Sequence, residues 1–451
     1  MVALSRAPEW RPSRDVPFLI LCVAIVLGML RAPQQEALEV SFLGTELSLV
    51  STDFAFGVLA LTIVARLLGK ARLPEPARAL TLAAAAFAAW LLVSSAINGV
   101  EPLVGAGKLL EYGVVALGAV LFVQHRWQLW AIVTLIAGIT LFAVGQALWD
   151  SDFELGYRLN SFMGSHELAA IGTLSLAYGV AALYSRRRES SWLPWAALAA
   201  GAAATVLGAA LASVLGMWLA FGTIVALALA RGSFRWPALA ATVAIAVAVT
   251  AGALSMREGD LGFIQGDEPA LSAERAGSWS QRLIYAYIGG RVFLANPVLG
   301  TGWYGELPPH EFARFLPDAR RAFPDQPPRY FPSAEQDLIP QQTYDQILFQ
   351  LGLLGAALFL VLAAIAVRTA LQVGLRWPRG GRSETAAFLP LAWLAALAGA
   401  LAGQALYGGI AVATFFWLVL GVVALMPSLV PPPEPAAAPP APERELVPAA
   451  R

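Results

Sequence analysis

The sequence has little charge, a single cysteine and few histidines, and each shortage excludes a class of protein. Charged residues make up 13% of the 451 residues, against about 25% in soluble domains. A lone cysteine, Cys22, excludes a disulfide framework and a cysteine-based metal site. The histidines are scattered at His125, His166 and His310 without an HExxH-type pair, so we expect no bound metal and no cofactor. A formal net charge of zero gives no basic surface for nucleic acid.

Long apolar runs are what the sequence has in abundance, since 58% of its residues are hydrophobic. A helix needs about 17–25 apolar residues to cross a bilayer, and twelve runs of that kind are present. They lie near 16–31, 51–69, 77–97, 103–123, 127–148, 163–184, 192–210, 212–230, 236–255, 344–368, 385–403 and 405–427. Two divisions within longer runs are placed at Gly208–Ser213 and Gly403–Gln404. The fold class predicted is an all-α integral membrane protein with about 12 transmembrane helices.

Lys and Arg are concentrated in every second short connection, and this pattern predicts the orientation of the chain in the membrane. Every second connection carries basic residues, as at Lys70, Arg126 and Arg186–Arg188, whereas Glu101 and Asp150 lie in connections with few cations. Because cytoplasmic loops carry an excess of Lys and Arg, both termini are predicted to be cytoplasmic. The first run follows several arginines but no small-x-small cleavage site follows it, so we interpret it as an uncleaved helix.

One hydrophilic segment, residues 256–343, interrupts the apolar pattern and is predicted to form one large extracytoplasmic loop. It contains eight arginines and eleven acidic residues. Within it, residues 278–295 alternate polar and apolar positions at near-helical spacing, which predicts an amphipathic helix at the membrane interface. We expect about nine spans in 1–255, three in 344–427, and a disordered cytoplasmic tail rich in proline and alanine in 428–451.

Three motifs in the chain occur together in a known family. Residues 280–285 (SQRLIY) and 296–302 (NPVLGTG) give an arginine, an aromatic residue and then Pro-x-x-Gly-x-Gly. Residues 341–355 at the end of the loop read Gln-Gln, nine residues, Gly-Leu-Leu-Gly, and residues 158–169 (RLNSFMGSHELA) open a helix. In this order, and with this topology, the motifs resemble the bacterial O-antigen ligase and O-antigen polymerase superfamily.

That resemblance implies a function and partners. Members of the superfamily move a glycan from undecaprenyl pyrophosphate onto an acceptor hydroxyl, without metal or nucleotide. The chain would then be a glycosyltransferase of the bacterial inner membrane, active in lipopolysaccharide and other cell-surface polysaccharide biosynthesis. Its partners would be the undecaprenyl-pyrophosphate-linked glycan, membrane lipids and a glycan, lipid A-core or protein acceptor. Ligase, polymerase and protein O-glycosylation remain open.

Candidates for binding the pyrophosphate are basic residues on the outer side. Arg282 lies in the first motif, and a planar guanidinium binds phosphate oxygens bidentately and stabilises the charge on a leaving group. The other candidates are Arg291, Lys108, Arg158 and His166. Each also has a plain structural interpretation: snorkelling for Arg282, pairing with a loop carboxylate for Arg291, a helix-end cation for Lys108, and helix packing for His166.

Catalytic candidates are Arg282, Gln341, Gln342 and His310. The motif that Gln341 and Gln342 open carries histidine and then Asn, Ser or Gln in the family. His310 lies on the loop in the sequence Pro-Pro-His-Glu-Phe and is a candidate base, although loop histidines are usually only solvated.

Two departures from the family pattern bear on this chemistry. Gln341 replaces the loop-end histidine, and glutamine can donate a bond to phosphate but cannot take a proton from the acceptor. General base help is typically worth about 10²–10⁴-fold, and Asp337, Glu335 and His310 are the candidate substitutes. The pair at 213–214 is Ser-Val, where members often have Ser-Arg, which removes one cation.

Two other classes of function compete with the transferase. A catalytically silent scaffold of a polysaccharide assembly complex would use the proline tail as a contact. A multi-span lipid or solute transporter would carry ionisable residues in mid-span to mark its pathway. Nearly all charges here lie at the ends of the runs, and we find no inverted repeat of broken helices, so transport is disfavoured.

Overall fold

The computed structural model describes most of the chain, apart from both ends and several connections. The described residues are 12–31, 35–42, 45–150, 158–185, 192–257, 269–380, 384–406 and 410–430. Almost all of the predicted tail, from residue 431 onward, lies outside this set.

The first part of the chain forms ten helices and one hairpin. They are α1 (Pro12–Leu27), β1 (Ala37–Phe42), β2 (Thr45–Val50), α2 (Ser51–Leu68), α3 (Arg78–Asn98), α4 (Val100–Glu111), α5 (Gly113–Phe122), α6 (Arg126–Asp150), α7 (Ser165–Tyr184), α8 (Leu193–Gly208), α9 (Leu211–Ala230) and α10 (Trp236–Ser255).

The second part contains the loop and the last long helices. They are α11 (Pro269–Ala295), α12 (Pro309–Phe312), α13 (Leu316–Ala322), α14 (Thr343–Arg376), α15 (Leu389–Leu401) and α16 (Ile410–Leu429).

The structure agrees with the prediction of a helical membrane protein but does not establish the count of twelve spans. Among the described residues, nine helices are long and apolar enough to cross a membrane, with α4 and α5 counted as one of them. Three shorter apolar helices, α1, α8 and α15, lie where three further spans were expected. The count of twelve therefore stays a prediction. In α7 and α16 nearly every side chain is buried, so these two helices form the centre of the bundle.

The two divisions placed within longer apolar runs are confirmed as breaks between helices. α8 ends at Gly208, and Ala209 adopts a left-handed conformation with φ of 44° before α9 begins at Leu211. α15 ends at Leu401 and residues 402–406 are non-helical, so the second break covers the predicted division at Gly403–Gln404.

The expectation of an all-helical chain misses one hairpin. β1 and β2 pair antiparallel, with Ala37 opposite Val50 and Phe42 opposite Thr45. Apolar and polar residues alternate along β1, with Leu38 and Val40 on one face and Glu39 on the other. That alternation is the signature of a strand, but it is too short to stand out beside runs of membrane-span length.

Small residues let the helices approach closely. A Cβ atom added at Gly399 of α15 would overlap the backbone of Gly216 in α9, and one added at Gly172 of α7 would lie 2.9 Å from the carbonyl oxygen of Gly201 in α8. Membrane helices associate through this kind of packing because lipid supplies no hydrophobic driving force between them.

One end of α9 is held by a buried ion pair. Arg231, directly after the helix, donates hydrogen bonds to the carbonyl oxygens of Gly374 and Trp377. Its Nη2 lies 3.4 Å from Oε1 of Glu384, and both side chains are almost fully buried. We call these residues the Arg231 lock; it joins α9 to the end of α14 and to the start of the segment that leads into α15.

The loop between α10 and α14 has its own apolar core. Ile284, Ile288 and Val292 lie four residues apart along α11 and are fully buried. They pack with residues of the rest of the loop and with Phe349 of α14. The amphipathic pattern at 278–295 thus belongs to a helix whose apolar face covers this small core, and its position at a membrane interface stays a prediction.

Candidate functional site

A cavity of about 230 Å³ lies beside α11 at the end of α9 opposite the Arg231 lock. Its polar lining consists of four side chains from four segments: His166, Arg257, Arg282 and Gln342. The rest of its lining is apolar and includes residues 211, 212 and 215 of α9 and the turn after α15. We call this space the arginine cavity. Its four polar residues lie up to 176 positions apart in the sequence.

The polar groups reach the cavity from three helix ends and from the middle of α11. His166 is in the first turn of α7, Arg257 follows α10, Arg282 is in α11, and Gln342 precedes the first residue of α14. A Cβ atom added at Gly403, after α15, would overlap the Cβ of Ala212 in α9, so the glycine lets this turn pack against α9 beside Arg282.

Three arginines converge on His166. Arg158 Nη1 lies 3.2 Å from His166 Nε2, and since arginine only donates, Nε2 is the acceptor. The charges of Arg282 and Arg257 also act on the imidazole. The second ring nitrogen, Nδ1, is buried and has no hydrogen-bond partner within the part of the chain that the structure describes. Neutral imidazole carries its proton on that nitrogen here, so a buried donor lies beside the cavity.

Burial and a neighbouring cation both disfavour the positive charge of Arg282. Burial and the positive charge of Arg257 lower the pKa of Arg282, while the negative charge of Asp345 raises it. Arginine is not deprotonated in proteins, so the guanidinium stays charged. Cations gathered beside an open cavity suit an anionic ligand, because the ligand would supply the opposing charge.

Four of the eight predicted site residues come together here. Arg282, Gln342 and His166 line the arginine cavity, and Arg158 contacts His166. Their common location was not apparent from the sequence, since Arg158 and His166 belong to a motif more than a hundred residues before Arg282.

Arg291 and Lys108 are held elsewhere by carboxylates. Arg291 lies on α11 but donates to Asp318 Oδ2 at 2.6 Å, a hydrogen bond that raises the pKa of Arg291. Nine residues are two and a half helical turns, so Arg291 faces a different side from Arg282. Lys108 Nζ lies 2.7 Å from Asp53 Oδ2 and 3.6 Å from Glu111 Oε2. The structure does not bring either cation to the cavity.

The remaining catalytic candidates also lie away from the cavity lining. Gln341 donates from Nε2 to the carbonyl oxygen of Ile339 at 3.2 Å. The His310 side chain is 62% exposed and lies 3.7 Å from Glu311. Asp337 and Glu335, the other substitutes considered for the missing histidine, are exposed.

Sequence reasoning missed two charged residues near the cavity. Arg257 was one of eight loop arginines, and its signal was its position as the first cation after the ninth apolar run. Asp345 lies inside the nine-residue spacer of the loop-end motif, where the pattern specifies no residue type.

Val214 stands where members of the family often have arginine. It is buried in α9 between the lining residues 212 and 215. An arginine at 214 would therefore have stood close to the cavity.

The two glycine motifs, about fifty residues apart, pack directly on each other. Gly300 and Gly352 have φ of 71° and 67°, a region that side chains disfavour. A Cβ atom at either would overlap the backbone of the other segment. Gly302 N–H donates to Gln350 O at 2.9 Å, and Leu353 N–H donates to Pro297 O at 2.8 Å. Gly352 also interrupts α14 with a non-helical kink.

Two buried glutamines of α14 complete this glycine junction. Gln346 and Gln350 donate from Nε2 to the carbonyl oxygen of Gly305, at 3.0 and 2.9 Å. Gln346 Oε1 accepts from Leu406 N–H at 3.1 Å, which ties the segment between α15 and α16 to the same point. The junction thus fixes the loop against the start of α14, and so relates Arg282 to Gln342.

Residues 200–360 match the family model described as O-antigen ligase. That stretch includes Arg257, Arg282 and Gln342 of the cavity and both glycine motifs. No curated protein sequence matches the chain. The match confirms the resemblance to the O-antigen ligase and polymerase superfamily, and with the apolar helices it supports a bacterial membrane protein with a glycan ligase or polymerase role.

Proposed function

We propose that this member of the O-antigen ligase and polymerase superfamily transfers a glycan from undecaprenyl pyrophosphate to an acceptor hydroxyl. One observation carries the proposal: Arg257, Arg282 and His166 line one cavity, and Arg158 contacts His166 at its edge. The cavity also adjoins Gln342 of the loop-end motif. The expected location is the bacterial inner membrane, with the cavity on the outer side and both termini in the cytoplasm.

The arginines suit the leaving group of this reaction. When the bond between the sugar and the pyrophosphate breaks, the electron pair stays on the phosphate oxygen, and negative charge builds there. Arg282 and Arg257 would stabilise that charge through charge-assisted hydrogen bonds, which are about twice as strong as neutral ones. Because most of the residues that line the cavity are apolar, these interactions gain strength relative to water.

His166 and Gln342 would bind rather than react. The buried Nδ1–H of His166 and the amide of Gln342 are hydrogen-bond donors that match phosphate oxygens. Arg158, which donates to His166 Nε2, would keep the ring in this tautomer. The acceptor would be a glycan, lipid A-core or a protein hydroxyl, and the polyprenyl chain would lie among membrane lipids.

A transfer assay with two arginines of α11 tests the proposal. The full chain would be placed in proteoliposomes with an undecaprenyl-pyrophosphate-linked glycan and an acceptor glycan. We expect Arg282→Ala to lower the rate of transfer by about 10²–10³-fold, as removal of one donor to a developing charge does. Arg291→Ala is the matched control, since Arg291 is on the same helix but bonded to Asp318.

A wild-type rate in Arg282→Ala would contradict the proposed site. Absence of any transfer by the wild-type chain, with donor and acceptor present, would instead favour the silent scaffold of an assembly complex.

A further inference from the structure

The proposed transfer needs a group that takes the proton of the acceptor hydroxyl. Gln341 stands where the resembling pattern has histidine, and an amide does not accept a proton at neutral pH. The three substitutes weighed from the sequence, Asp337, Glu335 and His310, are exposed and do not line the arginine cavity. A carboxylate closer to the cavity is therefore needed, and the structure contains one.

Asp345 is placed next to the cavity by the first turn of α14. It follows Gln342, which lies in extended backbone directly before the helix, by three residues. Gln342 lines the cavity, so Asp345 lies within one helical turn of the cavity lining. Its side chain is half-buried, and its charge acts on Arg282 across the space between α14 and α11.

The carboxylate is held in a fixed orientation. Asp345 Oδ1 accepts the backbone N–H of Gln346 at 2.7 Å. Gln346 is itself fixed at the glycine junction, through Gly305 and Leu406. The position of Asp345 relative to Arg282 is thus set by the same contacts that attach the loop to α14.

A second carboxylate that the structure describes near this end of the bundle, Glu167, does not face the cavity. Glu167 follows His166 in α7 but is buried beside Gly164, and the cation acting on it is Arg31. Asp345 is therefore the carboxylate whose charge acts on Arg282 within the described residues.

We propose that Asp345 is the general base of the transfer and fills the chemical role of the missing histidine. This rests on the proposed function. The proton of the acceptor hydroxyl moves to the Asp345 carboxylate while the acceptor oxygen forms a bond to the anomeric carbon of the donor sugar. The bond from that carbon to the phosphate oxygen breaks, and the pyrophosphate leaves with the electron pair. The carboxylic acid then returns its proton to water.

A general base and a residue that only positions Arg282 predict different kinetics. Asp345→Asn keeps the shape and a hydrogen-bond acceptor for Gln346 but cannot take a proton. We expect kcat in the proteoliposome assay to fall by about 10²–10⁴-fold. We also expect the KM for the lipid-linked donor to stay unchanged or decrease, because one negative charge beside the pyrophosphate site is removed. Asp337→Asn, an exposed loop carboxylate, is the control and should keep the wild-type kcat.

Two further measurements keep the test decisive. Asp345→Glu retains a carboxylate and should recover part of the kcat that Asp345→Asn loses. Binding of undecaprenyl pyrophosphate by Asp345→Asn should equal or exceed that of the wild type, which also shows that the variant is folded.

The possible outcomes distinguish a wrong assignment of the general base from a wrong proposed function. If the wild type transfers glycan and depends on Arg282, but Asp345→Asn keeps the wild-type kcat, the base assignment is wrong and the transferase stands. A raised donor KM with unchanged kcat would likewise overturn it and make Asp345 a positioning residue. A wild-type chain without transfer would overturn the proposed function itself.

Discussion

Two arginine environments lie near opposite ends of α9 and differ in what opposes their charge. Arg231, after the helix, is 1% exposed and is surrounded by two carbonyl oxygens and the carboxylate of Glu384. Arg282, near the start of α9, faces a cavity of about 230 Å³, and both the positive charge of Arg257 and the negative charge of Asp345 act on it. Both are buried to some degree, so burial alone does not distinguish them.

The difference separates a structural role from a binding role. A buried ion pair with its hydrogen bonds made is complete without a ligand, and removal of one partner leaves an uncompensated charge. Cations that face a cavity can in addition bind an anion that enters it. The comparison predicts that substitutions at the Arg231 lock change stability and that substitutions in the arginine cavity change transfer.

The largest effect is expected at the Arg231 lock. Arg231→Met leaves Glu384 buried without its cation, and we expect the free energy of unfolding to fall by about 3–5 kcal/mol. The measurement is reversible unfolding in detergent micelles. The double variant Arg231→Met with Glu384→Leu should recover most of the loss, because two apolar side chains replace the pair. A loss below about 1 kcal/mol in the single variant would mean that the lock does not stabilise the bundle.

A substitution of Arg257 tests the predicted role of the arginine cavity. We expect Arg257→Ala to lower the rate of transfer by about 10²–10³-fold, because the residue lines the cavity and donates where charge builds on the leaving group. Arg320→Ala, at an exposed loop position, is the control and should transfer at the wild-type rate. A transfer rate for Arg257→Ala equal to that of the control would remove Arg257 from the site.

Much of the fold was predictable because membrane crossing demands long apolar runs. The breaks at Gly208 and after Leu401 coincide with the divisions placed from run length. The hairpin before α2 was missed because alternation over six residues is a weak signal. The pattern of α11 was recognised, but its apolar face covers the loop's own core, which spacing alone cannot distinguish from a lipid-facing surface.

The site was predictable only where charge and motif coincided. Arg282 combines both, whereas Arg291 has the same charge and helix but contacts Asp318 on another side. Lys108 looked like a helix-end cation with access to the donor, but Asp53 of α2 neutralises it. Such partners lie far away in the sequence, so tertiary structure is required to find them. Asp345 stands in a spacer without a specified residue type, and only its proximity to Arg282 reveals it.

The glycine junction lies between the two environments in its expected effect. Gly352→Ala places a side chain at φ of 67° against the backbone of Val298, which costs about 1–3 kcal/mol from the conformation alone. We expect both unfolding free energy and transfer to decrease, with hydrogen exchange rising in the loop and at the start of α14 but not near the Arg231 lock. Gly290→Ala, where an added Cβ meets nothing within 4 Å, is the control. Uniform loss of protection through the whole bundle would contradict a local role.

The smallest effect is expected for Arg291, which sharpens the comparison because it shares α11 with Arg282. Its pair with Asp318 is partly exposed, with 42% and 26% of the two side chains accessible. Solvent-exposed ion pairs contribute little to stability, so Arg291→Ala should lower the unfolding free energy only slightly. The rate of transfer should stay within about twofold of wild type, since the guanidinium is bonded outside the cavity. Raising the salt concentration should weaken the Arg291 pair in the wild type and so reduce the stability difference between wild type and variant. A large loss of transfer in Arg291→Ala would show that charge anywhere on α11, and not the cavity, controls the reaction.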